Sequence, residues 1–454
     1  MLTPPQWGVV LPFRWVEIEG CPFALGADQL RRRAAFSSDW RDGAAEFHCS
    51  DEMLDRIYEL CRYSIKATTF AGVYVDGDRE RIPYEADAYF SQLGDYYVDG
   101  ETQMARDTFD RLMSHPTWPS EWAPHLIFIA YADWMQTGDT NWLAARYSSL
   151  KSKLQLGRAR PDGLIGSNQA QINRDDVVDW PAGERDGFVM TPVNTVVNAF
   201  HLRALHLMAH LARALNKAAD AADYSARELA GRAAFQTKLF DAARGLYRDG
   251  IGTDHISLHA NLFPLAFGLV PAQHRGAVAA WLSKRGMACS VYGAQYLFEG
   301  LFENGAAAEA LALMTAPTDR SWRHMVEGGT TITWEAWDQR YKPNQDWNHA
   351  WGAAPANLLP RFVLGVQPLA PGWKRVSIRP NPGSLKYAGG KIPTPLGPVT
   401  VHWENGTAFN LSISLPKGMT AQIQTPPGAF RGEILVNGKP VKVSQDSGNN
   451  ASGI

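Results

Sequence analysis

Two stretches carry most of the residues able to do chemistry. VDGDRERIPYEADAY, residues 75–89, holds five carboxylates and two arginines, with Tyr84 and Tyr89 among them. EGGTTITWEAWDQRYKPNQDWNHAWG, residues 327–352, sets Glu335 between Trp334 and Trp337 and continues through Asp338, Asp346 and His349. Two carboxyl groups flanking a bond are what glycosidic hydrolysis generally needs. One, protonated, donates its proton to the leaving oxygen, and the other, ionised, activates water or attacks carbon. The chain's 16 Trp, 15 Tyr and 19 Phe suit that chemistry, because flat rings cover the apolar faces of pyranoses, although a large core would also use them.

Each stretch also has a plainer reading. A charge run usually faces solvent. Pro83 is well placed at a first helical position, and Glu85 and Asp87 in the following turn would favour the helix macrodipole. That leaves Asp76, Asp78, Arg79, Glu80 and Arg81 in a loop before the helix, where active-site residues tend to sit. Glu335 could be a structural helix cap. Between tryptophans, its carboxylate either has a raised pKa through desolvation or is held by a donor.

The elements that must position these residues follow from periodicity. FRWVEIEG, within an irregular segment 1–47, alternates as a strand does. From CSDEMLDRIYELCRYSIKAT onward, with Ser50 as a plausible N-cap, helical spacing dominates to about residue 364. It includes EWAPHLIFIAYADWMQTG and the long TPVNTVVNAFHLRALHLMAHLARALNK. Roughly a dozen helical segments without a fixed-period repeat predict a mainly α domain, an (α/α)6 barrel of six hairpins, over 48–364. An irregular all-α domain is the alternative. Residues 365–442, dense in Gly and Pro with short alternating runs, predict a C-terminal β-sandwich, and 443–454 a disordered tail.

Bulk properties narrow the class. The 454 residues are 45% hydrophobic and 20% charged, and the net charge of −2 offers no footprint for nucleic acid or an anionic membrane. No run of about eighteen apolar residues exists to span a bilayer. Cys21, Cys49, Cys61 and Cys289 are scattered without metal-ligand spacing and read as buried thiols, and no histidine pattern suggests zinc. No metal or cofactor is expected. The N-terminus lacks a basic region followed by an apolar one, which places the chain as written in the cytoplasm, or in the periplasm or outside the cell if it was cut from a longer precursor.

DGDRERIPYEADAY resembles the signature of the α-L-rhamnosidases of glycoside hydrolase family 78, approximately Asp-Cys-Pro-x-Arg-x-Glu-Arg-x-Gly-Trp-x-Gly-Asp-Ala. GGTTITWEAWD resembles that family's Gly-x-Thr-Thr-x-Trp-Glu-x-Trp-Asp, and DWNHAWGA its Asn-His-x-x-x-Gly segment. The resemblance implies an (α/α)6 barrel and hydrolysis of terminal α-L-rhamnosides with inversion. It implies Glu80 as general acid and Glu335 as the base that activates water. Asp76, Arg79, Asp87, Trp122, Trp180 and His349 match sugar-contacting residues, joined by Tyr84, where the family has Trp, and Trp334. The chain departs from the pattern at Gly77-Asp78, with one residue deleted, and at Tyr84 and Ala86. These changes leave open a substituted or uronate-linked substrate. Arg185, in DDVVDWPAGERDGF, either binds a carboxylate or sulfate or belongs to a surface loop with internal ion pairs. Two further readings stand beside hydrolysis: a non-catalytic sugar binder, and phosphorolysis or elimination on the same toroid. Asp76 and Asp78 should raise the pKa of Glu80, while Arg79 and Arg81 oppose that.

Overall fold

Thirteen α-helices occur among the residues described by the computed structural model, which are 13, 15–426 and 432–440. They are α1 (Glu52–Ala67), α2 (Glu85–Val98), α3 (Gln103–Ser114), α4 (His125–Thr137), α5 (Thr140–Leu150), α6 (Thr195–Ala214), α7 (Ala218–Leu239), α8 (His259–Ala266), α9 (Ala272–Arg285), α10 (Val291–Glu303), α11 (Ala307–Met314), α12 (Trp322–Glu327) and α13 (Pro355–Leu358). Helices α2, α4, α6, α8, α10 and α13 pack in a closed circle, each against the next and α13 back against α2. Helices α1, α3, α5, α7, α9 and α11 pack outside them. This is the (α/α)6 arrangement, not the irregular alternative.

Composition decides which ring a helix joins. Inner α10, VYGAQYLFEGLFE, buries residues on every side, whereas outer α7 buries only a stripe that includes Ala221, Tyr224, Ala234, Phe235 and Leu239. The middle of the barrel is filled by rings: Phe200 of α6 lies 5.0 Å from Phe263, 5.0 Å from Phe267 and 5.7 Å from Tyr296. Two expected helix starts shift. Asp51 caps α1, accepting from the Met53 N–H at 2.9 Å, while the Ser50 hydroxyl accepts from the Lys386 N–H. Helix α2 begins at Glu85 after Tyr84, so Pro83 precedes the cap.

The strands are β1 (Glu46–Cys49), a small hairpin β2 (Phe240–Asp241) and β3 (Leu246–Tyr247), then β4 (Val366–Pro368), β5 (Arg375–Ile378), β6 (Tyr387–Ile392), β7 (Val399–Asn405), β8 (Phe409–Ser414), β9 (Thr420–Ile423), β10 (Ile434–Val436) and β11 (Lys439–Pro440). One sheet has the order β1-β6-β7-β8-β10-β11, and the other β4-β5-β9. Strand β7 alternates buried Val399, Val401 and Trp403 with outward Thr400, His402 and Glu404. The strands are fixed to the barrel by the Trp403 indole donating to the Val363 carbonyl (3.0 Å) and the Tyr97 hydroxyl to that of Val366 (2.9 Å). FRWVEIEG is not a strand over its described residues: Trp15, Val16 and Ile18 are exposed with no neighbour to cover an apolar face. The N-terminal strand is instead β1, which finds a partner in β6. The tail expected at 443–454 lies outside the described residues, as do 441–442.

Phe200 sits at the centre of the inner ring, so Phe200→Ala should cost about 3–5 kcal/mol, read as a lower denaturation midpoint. A change below about 1 kcal/mol would contradict this packing.

Candidate active site

The inner helices share one direction, so the loops leading into them gather at one rim. Loops before α2, α4, α6 and α13 enclose a cleft of about 350 Å³. The first supplies Asp76, Arg79, Glu80 and Tyr84, with Asp87 in the opening turn of α2. The second supplies Trp118 and Trp122, and the third Val177, Trp180 and Pro181. The last supplies Glu335, Tyr341, Lys342, Pro343, Asn344, His349 and Trp351. The cleft thus opens over the positive ends of those helices, where carboxylates are favoured.

Arg79 joins the two glutamates. Its Nη1 lies 2.8 Å from Glu80 Oε1 and its Nη2 3.7 Å from Glu335 Oε1. Glu80 is partly exposed, and the Tyr84 hydroxyl donates to its Oε2 at 2.5 Å. Burial and this hydrogen bond push the Tyr84 pKa up, so the phenol remains a donor. Glu335 is only 3% exposed and is held by donors: the Asp346 N–H at 2.8 Å and the Lys342 ammonium at 3.2 Å, both on Oε2.

Asp346 ties the two motifs together. Its carbonyl accepts from the Glu335 N–H (3.0 Å) while its own N–H donates to the Glu335 carboxylate. Its Oδ1 accepts from the Arg79 N–H at 3.0 Å, and next to it Asn348 Oδ1 accepts from the Asp78 N–H at 3.1 Å. A Cβ at Gly77 would lie 2.6 Å from Asp346 Oδ2 and 3.0 Å from the Asn348 carbonyl, so the bare backbone at 77 is what lets the loops meet. Asp78 pairs with Arg81, which takes a left-handed backbone (φ 55°) right after Glu80. Glu121 performs a similar task across the cleft, accepting from the N–H groups of Val177 and Val178 just before Trp180. Burial, assisted by the charge of Asp176, raises its pKa to about 7.

Beneath the glutamates, His349 Nε2 lies 2.6 Å from Asp87 Oδ1, both side chains buried. Burial opposes protonation of His349, but the Asp87 hydrogen bond and the charges of Asp87, Asp76 and Glu335 outweigh it and raise its pKa. Burial also raises Asp87, so the pair keeps its shared proton to higher pH. Asp76 is held by its own loop: its Oδ1 accepts from the Ile82 N–H (3.0 Å) and its N–H donates to the Ile82 carbonyl (2.9 Å). Burial raises its pKa to about 7, with His349 opposing and Asp87 reinforcing. Near neutral pH Asp76 is therefore divided between a donating acid and an accepting carboxylate. Glu335, Asp346 and His349 bring ligand atoms within 4.8 Å of one another, a set able to hold a cation, although Lys342 and Arg79 already meet the charge of Glu335.

Of the residues singled out in the sequence, Glu80, Glu335, Asp76, Arg79, Tyr84, Asp87, Trp122, Trp180 and His349 line this one cleft. Trp334 does not. Its ring is buried behind Glu335, edge-on to Trp347 (5.2 Å) and His324 (5.7 Å). Asp338 also points elsewhere, to His324 and Arg340, and Arg185 donates to the Asp179 carbonyl outside the cleft lining. Glu85, beyond its place in the first turn of α2, is buried and accepts from the backbone and hydroxyl of Thr117. Sequence reasoning passed over Trp118, Tyr341, Lys342, Asn344 and Trp351. The signal for most of them was the polar RYKPNQ stretch between the two halves of the second motif, too long for a simple turn.

The family model described as the bacterial α-L-rhamnosidase six-hairpin glycosidase domain matches residues 42–363. The chain belongs to this family. A second model, the bacterial α-L-rhamnosidase C-terminal domain, matches 365–437. Within the α-L-rhamnosidase family, curated proteins of that name from Alteromonas sp. (strain LOR) and Formosa agariphila are each 26% identical, over 342 and 351 residues, covering 71% of this chain and 36% of theirs. The chain thus spans about a third of the length of these relatives. The rhamnosidase of Bacillus sp. GL1 shares the fold with a TM-score of 0.75 at 22% identity, covering 87% of this chain and 44% of that one. The Streptomyces avermitilis enzyme, solved in complex with L-rhamnose, gives 0.70 at 22% identity, covering 84% and 38%.

Gly77→Ala should destabilise the fold by about 1–3 kcal/mol by displacing Asp346 and with it Arg79 and Glu335. Added to Asp346→Ser, the same change should cost much less, and fully additive effects in the double-mutant cycle would count against the contact. For Asp76, the folded protein keeps a proton between about pH 4 and 7 that the unfolded chain has released. Stability from this group is therefore lost as pH rises through that window. Asp76→Asn should gain Tm relative to the parent between pH 4 and 7 and hold that gain above. A constant Tm difference from pH 4 to 8 would refute the raised pKa.

Proposed function

We propose that the chain is an inverting glycoside hydrolase that releases terminal α-L-rhamnose, with Glu80 as general acid and Glu335 as general base. The observation that carries this reading is Arg79, whose single guanidinium touches both carboxylates. Their facing oxygens can then be no farther apart than one planar fork and two contacts, a limit that admits the roughly 6.5–9.5 Å at which inverting enzymes hold acid and base around a water. The partly exposed Glu80, hydrogen-bonded by Tyr84, has access to a leaving oxygen. The buried Glu335, whose Oε2 is held by Lys342 and an N–H, leaves Oε1 to take a proton from water. Trp122, Trp180 and Trp351 offer ring faces to the pyranose, and Asp76, Asp87 and His349 offer hydrogen bonds to its hydroxyls. Membership of the α-L-rhamnosidase family supports rhamnose as the sugar.

In this reaction water attacks the anomeric carbon as Glu335 takes its proton, the glycosidic bond breaks, and Glu80 gives its proton to the leaving oxygen. Glu80→Gln and Glu335→Gln should each lower kcat/KM on an aryl α-L-rhamnoside by about 10²–10⁴-fold. The first sugar formed, followed by NMR, should be the inverted anomer. Near-parental turnover in both variants, or retention, would overturn the assignment. Binding of rhamnosides without hydrolysis would favour the sugar-binding alternative, and a phosphate-dependent rate would favour phosphorolysis.

A further inference from the structure

A second groove shares two walls with the cleft. The chain passes from Trp180-Pro181, in the cleft wall, directly into Gly183 and Glu184, in the groove wall. Across from them the Arg320 guanidinium of the groove lies 4.2 Å over the ring of Tyr341, which lines the cleft. The groove wall carries three basic side chains, each seated on a buried carboxylate: Arg285 on Asp186, Arg320 on Glu184 at 2.7 Å, and His255 on Asp249 at 2.6 Å. The acids are 5%, 2% and 0% exposed at their side chains, the bases 49%, 31% and 41%. Backbone donors engage two of the acids further: the Leu258 N–H on Asp186, and the Val189 and Ser257 N–H groups on Asp249. Glu184 and Asp186 also line the groove, but in each pair the base is the more exposed partner. Arg285 and Arg320 bind their carboxylates through Nε and Nη2, leaving both Nη1 groups without a protein partner among the described residues.

We propose that this groove is a subsite for the leaving-group side of the saccharide and that it takes a sugar bearing a carboxylate or sulfate. This rests on the reading of the cleft as a glycosidase site. With one sugar in the cleft, the rest of the saccharide must pass a wall, and the Pro181–Gly183 and Tyr341–Arg320 walls are shared with the groove. No Trp, Tyr or Phe side chain lines the groove among the described residues, so the broad ring face that stacks on a neutral pyranose is missing there. Guanidinium edges fixed in place by buried acids match the paired oxygens of a carboxylate or a sulfate, because their ordering is complete before the ligand arrives. The bases and acids nearly balance in number, so selectivity comes from their orientation, positive ends outward, rather than from net charge.

The test compares an α-L-rhamnosyl-glucuronic acid disaccharide, its neutral methyl ester, a sulfated counterpart and an aryl α-L-rhamnoside. The parent protein should favour the acid or the sulfate over the ester by about tenfold or more in kcat/KM, and whichever is favoured identifies the anion. Arg285→Ala, and Arg320→Lys, which keeps a cation on Glu184, should each erase that preference through KM while leaving the aryl rhamnoside within about twofold of the parent. Equal kcat/KM for ester and anions in the parent, or variants that lower all substrates alike, would overturn the subsite. If the parent hydrolyses none of them, the glycosidase reading fails. Calorimetric titration with the acid and the ester then still decides the groove, equal affinities refuting it.

Discussion

Five carboxylates, Asp76, Glu80, Asp87, Glu335 and Asp346, crowd one small volume, four of them buried. Like charges that close cannot all ionise in a desolvated site unless cations or donors compensate them. Arg79 spans Glu80 and Glu335, Lys342 holds Glu335, and His349 shares a proton with Asp87, while Asp76 takes up a proton near neutrality. Much of the surrounding structure follows from this compensation. The cations must come from different loops, so the loops must be locked together. Asp346 and Asn348 do this by accepting backbone N–H groups from the stretch that carries Glu80.

The barrel makes such a meeting possible. Six inner helices run in one direction, so four loops far apart in the chain arrive at one rim with their helix N-termini beneath them. The outer helices return the chain and cover the ring, and the aromatic filling around Phe200 keeps the inner helices at fixed spacing. A rigid ring below and loops cross-linked by hydrogen bonds above can hold side chains to the fraction of an ångström that acid–base chemistry requires.

What could be read from the sequence was whatever is local. Helical periodicity marked α3, α4, α6 and α7 because each buries a stripe or more of its own residues. The two motifs were visible because their acids are contiguous. Features set by distant contacts were not visible. Lys342 gains meaning only when its loop folds back onto Glu335, and Asp346 only when Gly77 approaches it. FRWVEIEG alternates as a strand does, but alternation needs a partner strand, and that place is taken by β1. Trp334 and Trp351 flank Glu335 and His349 in similar ways. Which indole faces the cleft depends on loop backbone direction, which has no period to reveal it. Ser50 and Asp51 are equally good caps by type, and the neighbouring Lys386 N–H engages Ser50.

Strand β1 precedes the ring of helices and pairs, residue for residue, with β6, which follows it. The barrel is therefore a closed excursion whose entry and exit are fastened by the same ladder, with Ser50 and Tyr387 adding a further backbone hydrogen bond at 3.1 Å. Helix α1 cannot fray outward without pulling an edge strand from the sheet, and the sheet cannot open at that edge without freeing the end of the barrel. Fastening of this kind merges what look like two folding units into one cooperative unit. It also means that the chain cannot be divided between helices and strands into two self-sufficient halves: the helical half would keep β1 with no strand to pair with, and the strand half would expose the unpaired edge of β6.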